Sequence, residues 1–454
     1  MNDYRRIADR LADDIAAGRL KPGERLPPQR VFARRRGIAG STAGRVYGEL
    51  VRRGLVVGEV GRGTFVRASR AAPAGLALTE PAAAAAATAA AAVPVNMELN
   101  YPSVPGQSEL LAPSLAALLR PDVLDEALRP AAATGTAAAR EAAATLLSLP
   151  REHPAGQLLF TGNARQAIAA ALACLVRPGG RVGVEALTYP LVKEIAARVG
   201  STLVPLVSDA DGVLPQSVAA AHRAAPLSAL YLQPTLHNPT SLTMSEERRR
   251  QLAHAVTDLD IPVVEDRIWS FLDDRSTPLA AYAPGLTHVV DSLSKRVAPG
   301  LTVGFLVVPQ RRAGAVAAAI RSGGWSASRF ALDAAVRWIG DGTVARLVAA
   351  KRSDAARRQR ILAAELHGFS VRSDPRAYHA WWELPAPWRA DTFTAAAAAH
   401  GIAVTPGPAF AVDPSRTPDA VRLGLGSTGV PDLERALRTL ARLARSRADG
   451  RTVR

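Results

Sequence analysis

The sequence predicts an α/β protein in two unlike parts. A small N-terminal module of three helices and a hairpin precedes a large unit of alternating strands and helices, which closes with a small α+β subdomain. Three observations carry this. Helical periodicity in the first fifty residues gives way to a strand–turn–strand pattern. An alanine- and proline-rich stretch follows, and seven short apolar runs then recur with helical segments between several of them. A length of 454 residues accommodates two or three such units with a large core.

In the first module Tyr4, Ile7, Ala8, Leu11, Ala12, Ile15 and Ala16 recur at helical spacing, and Gly18 ends the run. "LKPGERLPPQ" is a turn-rich connection. A short helix starting near Pro28 buries Val31 and Phe32 and leaves Arg30, Arg34, Arg35 and Arg36 outside. A third helix, from Ser41, has Ala43, Val46, Tyr47, Leu50 and Val51 on one face and Ser41, Thr42, Arg45 and Arg52 on the other. "LVVGEV", "GRG" and "TFV" complete the module as strand, turn and strand, with Arg62 at the hairpin tip.

This order is that of a winged helix-turn-helix, whose third helix enters the major groove of double-stranded DNA. The charge agrees: residues 1–70 hold 16 Lys plus Arg against 7 Asp plus Glu, a net of +9 out of +16 for the whole chain. Arg30, Ser41, Thr42, Arg45 and Arg62 are the candidate DNA-binding residues.

We divide the chain into residues 1–68 (winged helix-turn-helix), 69–97 (Ala/Pro-rich linker), 98–364 (large domain) and 365–454 (small subdomain). The linker has too little to bury to specify a fold and reads as a tether. In the large domain the strand candidates are "QLLFTG", "RVGVEA", "STLVPLV", "ALYLQP", "IPVVED", "THVVDSL" and "VGFLVVP". The segment "TMSEERRRQLAHAV" has Thr243 and Glu246 spaced for a capping box. Strand–helix alternation on this scale predicts a mostly parallel sheet, and such sheets bind ligands beyond the carboxyl ends of their strands.

The residues at those ends are informative. Asn163, Ala164 and Arg165 open a helix, where backbone N–H groups bind phosphate. Tyr189 can stack on a flat ring. Asp266 can hold a pyridine nitrogen protonated. Asn238 and His237 follow a fourth strand, and Ser292, Ser294 and Lys295 follow a sixth. Lys295 is one of four lysines, with Lys21, Lys193 and Lys351, in a chain with 56 Lys plus Arg. An amine of lowered pKa forms a Schiff base; a guanidinium cannot. These are the parts of a pyridoxal 5′-phosphate site.

Residues 10–66, with "LPPQR", the "ST…R.Y..L" helix and the "GRGTFV" wing, resemble the DNA-binding domain of GntR-type regulators. Residues 98–450 resemble fold-type I aminotransferases through "TGNARQAI", "EALTYP", "QPTLHNPT", "VVED", "SLSKRVAPGL" and "VRLGLGS". That resemblance implies a phosphate cradle at Asn163, Ala164 and Arg165, with Ser292 and Ser294 beside it. It also implies a stacking Tyr189, Asn238 on the phenolic oxygen, Asp266 on the ring nitrogen and Lys295 as the catalytic Schiff-base lysine. Arg422 would bind an effector's carboxylate, and His237 and Trp269 would line the effector pocket with "NYPSVPGQ". Thr302 and Trp269 replace the family's usual arginine and tyrosine, and "ALRPAAATGTAAARE" lacks the tyrosine lent to a partner subunit.

The combination resembles the MocR group of transcription regulators, which implies a cytoplasmic homodimer that binds operator DNA, holds pyridoxal phosphate and senses an amino compound. An active aminotransferase, or a regulator whose large domain only dimerises, are the alternatives. Cys174 is the single cysteine, so neither a disulfide framework nor a cysteine metal site is expected. "MNDYRRIADRLADDIAAGRL" lacks the apolar run of a signal peptide, and no stretch reads as a membrane span.

Overall fold

The computed structural model describes residues 3–16, 19–20, 24–53, 55–59, 63–66, 95–149, 155–273, 275–413, 416 and 418–448. Arg62 and almost all of the linker lie outside the described residues.

The N-terminal module has helices α1 (Asp3–Ala16), α2 (Gln29–Arg36) and α3 (Gly40–Arg52) and strands β1 (Val56–Glu59) and β2 (Gly63–Val66). Its core joins Ala8 and Leu11 of α1 to Phe32 of α2, Val46, Tyr47 and Leu50 of α3, and Val56 and Val66 of the hairpin. Tyr47 pins α3 in place. Its ring meets Phe32 edge-on at 5.3 Å, and its hydroxyl donates to the Pro27 carbonyl at 2.5 Å. Gly37, at φ +62°, ends α2 in the left-handed conformation that suits glycine and turns the chain into α3. In the hairpin Val56 faces Val66 and Glu59 faces Gly63. The segment before α2 joins it through Leu26 N–H to Thr64 and Val66 N–H to Glu24.

β3 (Val95–Asn96) does not belong to the linker. It pairs in parallel with a strand of the small subdomain, and Met97 is fully buried in that subdomain's core. The linker therefore ends before Val95, three residues earlier than its composition suggests.

All seven expected strands form one sheet. They are β4 (Leu158–Thr161), β5 (Arg181–Glu185), β6 (Thr202–Leu206), β9 (Ala229–Leu232), β10 (Val263–Asp266), β11 (Thr287–Ser292) and β12 (Gly304–Val307), with a short hairpin of β7 (Ser208–Asp209) and β8 (Gly212–Val213) between. Their order is β4-β12-β11-β10-β9-β5-β6. Only β12 runs antiparallel to its neighbours. Strands β4, β9, β10 and β12 are buried along their whole length, which is why they read as unbroken apolar runs. Gly304 permits β12 to approach the start of the next layer, because a Cβ there would lie 2.5 Å from the Asn163 backbone.

Helix Glu246–Asp258 is capped by Ser245, whose hydroxyl accepts from Arg248 N–H, and not by Thr243. The Thr243 hydroxyl instead accepts from Leu236 N–H at 3.1 Å. A tertiary partner thus takes the group that local spacing assigns to the cap.

Helix Thr343–Glu365 leads into the small subdomain, a four-stranded antiparallel sheet in the order β13 (Val371–Ser373), β14 (His379–Glu383), β17 (Ala420–Gly424), β16 (Thr405–Pro406). β15 (Ile402–Ala403) is the partner of β3. Trp382 is fully buried at its centre, edge-on to Phe369 at 5.0 Å and Phe393 at 5.2 Å. No helix among the described residues is long and apolar enough to cross a membrane.

Gly48 lies exposed in α3, and an added Cβ would meet nothing within 4 Å. Gly48→Ala is therefore expected to stabilise the N-terminal module by about 1 kcal/mol through helix propensity alone. A raised midpoint in chemical denaturation of that module checks this; a lowered one contradicts the absence of steric contact.

Candidate functional site

The carboxyl ends of β4, β5, β9, β10 and β11 surround one cavity, closed on its far side by residues 98–101 and by β17. It is lined by Glu98, Asn100, Tyr101, Asn163, Ala164, Arg165, Tyr189, Gln233, Asn238, Asp266, Trp269, Ser294, Lys295, Thr405, Phe410 and Arg422, among others.

Asn163 lies in the turn after β4 and caps helix Ala164–Leu175, its side chain accepting from Gln166 N–H at 3.1 Å. The first-turn N–H groups of Ala164 and Arg165 have no acceptor within a helix and face the same end. Tyr189 opens helix Pro190–Arg198 after β5. Burial raises its phenol pKa, so it stays neutral.

Asp266, the last residue of β10, is 3% exposed. Its carboxylate accepts from Tyr231 Oη at 2.7 Å, Gln233 Nε2 at 2.9 Å and Ile268 N–H at 3.0 Å. Burial pushes its pKa up while these donors pull it down. The side chain is fixed in direction, and its charge calls for a positive partner in the cavity. Asn238 lines the same wall, with its Oδ1 buried and unpartnered.

Lys295 lies in the short helix Leu293–Arg296 directly after β11. Its Nζ donates to the Asn100 carbonyl at 2.6 Å and stands 4.0 Å from the centre of the Tyr101 ring and 5.2 Å from that of Trp269. Burial, then the positive charges of Arg422, Arg165 and Lys351, bring its pKa down from 10.5 to about 7. A large share of the amine is then neutral near pH 7 and able to act as a nucleophile.

Lys351 is a residue that strand-end reasoning misses. Fully buried on helix Thr343–Glu365, it donates to the Lys295 carbonyl at 2.9 Å and the Val297 carbonyl at 2.7 Å. It thereby satisfies the open carbonyls at the end of the Lys295 helix. Lys193 likewise serves backbone carbonyls, those of Ala409 and Ala411. Each of the three described lysines thus donates to backbone carbonyls from a buried or half-buried position, which suits a compact ammonium.

Two expected residues lie outside the lining. Ser292 is fully buried, and its hydroxyl is taken up in capping the Lys295 helix, accepting from Ser294 N–H at 3.0 Å. His237 lies behind the cavity wall, with Nδ1 on Thr240 Oγ1 at 2.8 Å and its carbonyl against His379 Nε2 at 3.0 Å. Burial lowers the His237 pKa to about 4, so it is neutral. Trp269 does line the cavity, 5% exposed and 5.6 Å from the His379 ring.

Arg296 forms a buried ion pair with Asp291 and is not free to face a phosphate. Thr302 instead shares a hydrogen bond of 2.9 Å with Ser294. Arg165 is left as the guanidinium at the cradle end of the cavity. Arg422, on β17, donates to the Glu98 carbonyl at 2.6 Å and to Thr405 Oγ1 at 3.1 Å, and burial brings its pKa to about 10. It remains charged at neutral pH.

On the N-terminal module Arg30, Ser41 and Arg45 are exposed and Thr42 is half-buried. Ser41, Thr42 and Arg45 share the outer face of the first turns of α3, and Arg34, Arg35 and Arg36 end α2 beside it. The arrangement suits phosphate and base contacts in a major groove.

Competitive acetylation of the lysines is expected to modify Lys295 with a midpoint near pH 7, the rate rising as pH rises and the ammonium loses its proton. Lys351→Met removes a positive neighbour and moves that midpoint upward. A wild-type midpoint near 10.5 would contradict the desolvated site.

Comparison with known proteins agrees with this geometry. The family model "Aminotransferase class I and II" matches residues 127–440, and "Bacterial regulatory proteins, gntR family" matches residues 3–66. HTH-type transcriptional regulator YdeF of Bacillus subtilis is 29% identical over 444 residues, 97% of this chain and 94% of its own length. The HTH-type pyridoxine biosynthesis transcriptional regulator PdxR of Corynebacterium glutamicum is 24% identical over 315 residues, 68% of this chain and 66% of its own. Among solved structures, Pyrococcus horikoshii kynurenine aminotransferase superposes with a TM-score of 0.72 at 20% identity, covering 81% of this chain and 95% of that one. At that identity the likeness concerns the fold. With a GntR-family domain ahead of a class I and II aminotransferase domain, the chain belongs to the MocR type of transcription regulator.

Proposed function

We propose that this regulator holds pyridoxal 5′-phosphate in the cavity at Lys295, senses an amino compound there, and passes the result to operator DNA as a homodimer. The observation that carries this is the desolvated Lys295 amine facing Asp266 across one cavity, in a chain that also bears a basic winged helix.

The residues present fit the cofactor. Asp266, already oriented by three donors, is the anion for a ring nitrogen. Asn238 offers an amide with an unpartnered atom. Tyr189 supplies an aromatic face, and the start of helix Ala164–Leu175 with Arg165 and the Ser294 hydroxyl supplies a phosphate seat. When bound, pyridoxal phosphate supplies an aldehyde on which primary amines exchange. Lys295 provides the resident amine and gives up or regains a proton at Nζ as a competing amine arrives and leaves. Arg422 presents a guanidinium to a carboxylate.

Coupling follows from where Lys295 is tethered. Its hydrogen bond to Asn100 ties the Lys295 helix to the segment that follows β3, the strand paired with the small subdomain's β15. Engaging the amine removes that tie, so the ligand prefers one arrangement of the two subdomains, which is the requirement for a shift. Paired N-terminal modules would then be redirected on two half-sites.

Incubation with pyridoxal phosphate is expected to give a visible absorption band, and borohydride reduction followed by peptide mass analysis to place the label on Lys295. A colourless protein, or label scattered over other amines, contradicts the proposal. Arg45→Ala is expected to weaken binding to a selected duplex and to reduce the slope of log affinity against log salt, as loss of a phosphate contact requires. An unchanged affinity and slope would remove Arg45 from the interface.

A further inference from the structure

Resting on that reading of the cavity, an inventory of its charges leaves one group without a task. Arg165 has the phosphate, Asp266 the ring nitrogen, Lys295 the aldehyde and Arg422 a carboxylate. Glu98 remains. It lines the cavity and is half-buried, two residues beyond β3, on the segment that reaches Lys295 through the Asn100 carbonyl. Its backbone is fixed at both ends: its N–H donates to Asn96 Oδ1 at 2.9 Å and its carbonyl accepts from Arg422 at 2.6 Å. Among the described residues its carboxylate makes no ion pair with Arg422 or with any other side chain. Burial raises its pKa, with Arg422 working against that rise. A carboxylate partly withdrawn from water and with no direct ion pair is costly, and a ligand cation that pairs with it recovers part of that cost.

We infer that the amino compound sensed at Lys295 carries, besides its reacting amine and a carboxylate, a second cationic group that pairs with Glu98. An amino acid with a basic side chain has this chemistry. Arg422 and Glu98 are neighbours on the cavity wall, so the two charges of such a ligand are read side by side. An uncharged side chain of equal length would leave Glu98 desolvated and unpaired, and the site discriminates against it for that reason.

Matched pairs isolate the charge. With the pyridoxal phosphate complex of the full chain, spectral titration compares L-lysine with L-norleucine and L-ornithine with L-norvaline, which differ only by the terminal ammonium. The expected result is half-saturation at a concentration at least roughly tenfold lower for the charged member of one pair or both, since a polar contact left unmade in a buried site discriminates at least this strongly. Glu98→Gln, its folding checked by thermal midpoint, is expected to bring that ratio to near one by weakening the charged ligand alone, and Glu98→Asp to retain part of the preference.

A wild-type ratio near one, or one favouring the uncharged partner in both pairs, overturns the inference. So does a Glu98→Gln variant that weakens both members equally, which would make Glu98 a positioning residue for Arg422. Failure of the wild-type chain to give any visible band overturns it as well, and marks the fault as lying in the cofactor reading beneath it.

Discussion

An amine kept largely out of water at a seam between two subdomains is the constraint on which the rest of the site depends. Lys295 Nζ is held by one carbonyl, that of Asn100, and stands among aromatic rings and other cations, with Asp266 as the anion acting on it. In water the ammonium form would dominate up to pH 10.5; in this setting the balance shifts by several powers of ten toward the free amine. Lys351 secures the backbone beneath it, and the Asp291–Arg296 pair secures the helix beside it. Each partner comes from a different element, so the reactivity of one side chain reports on the packing of helix Thr343–Glu365, strand β11 and the segment after β3 together.

That dependence gives the departures from the aminotransferase pattern a physical reading. Thr302 brings a hydroxyl to Ser294 where a guanidinium is usual, and Arg296 is taken up by Asp291. In the proposed reading, the phosphate seat therefore has Arg165, the helix start and the Ser294 hydroxyl to offer. A turnover enzyme gains from gripping its cofactor throughout a cycle; a sensor needs the cofactor held well enough to be read. In that reading a seat with one guanidinium suits the second role, as does the Lys295–Asn100 hydrogen bond, which an arriving ligand would have to break.

Much of the fold was legible because its physics is local. Strands β4, β9, β10 and β12 are buried on both faces, so each appears as an unbroken apolar run, and the rule that ligands sit at strand ends leads directly to Asn163, Tyr189, Asn238, Asp266 and Lys295. Ser292 and His237 lie at the expected places in the chain but are turned to local duties, one capping a helix and the other bonded to Thr240. The Thr243 cap failed because Leu236 competes for its hydroxyl. Lys351, Glu98 and Gln233 could not be read in advance. Lys351 serves a carbonyl 56 residues away, Glu98 meets Arg422 across 324 residues, and Gln233 matters through its bond to Asp266. No local pattern encodes such contacts.

The central claim is that the chemical state of Lys295 is felt by the DNA-binding module. The most direct test compares affinity for a duplex, selected by this protein from a random pool, with the protein saturated by pyridoxal phosphate or by pyridoxamine phosphate. The second compound lacks the aldehyde and leaves Lys295 unengaged. The account predicts affinities that differ by roughly fivefold or more, the range of ordinary allosteric coupling, and a difference that vanishes in Lys295→Met. Equal affinities in the wild-type protein, or a difference that survives in Lys295→Met, would contradict it.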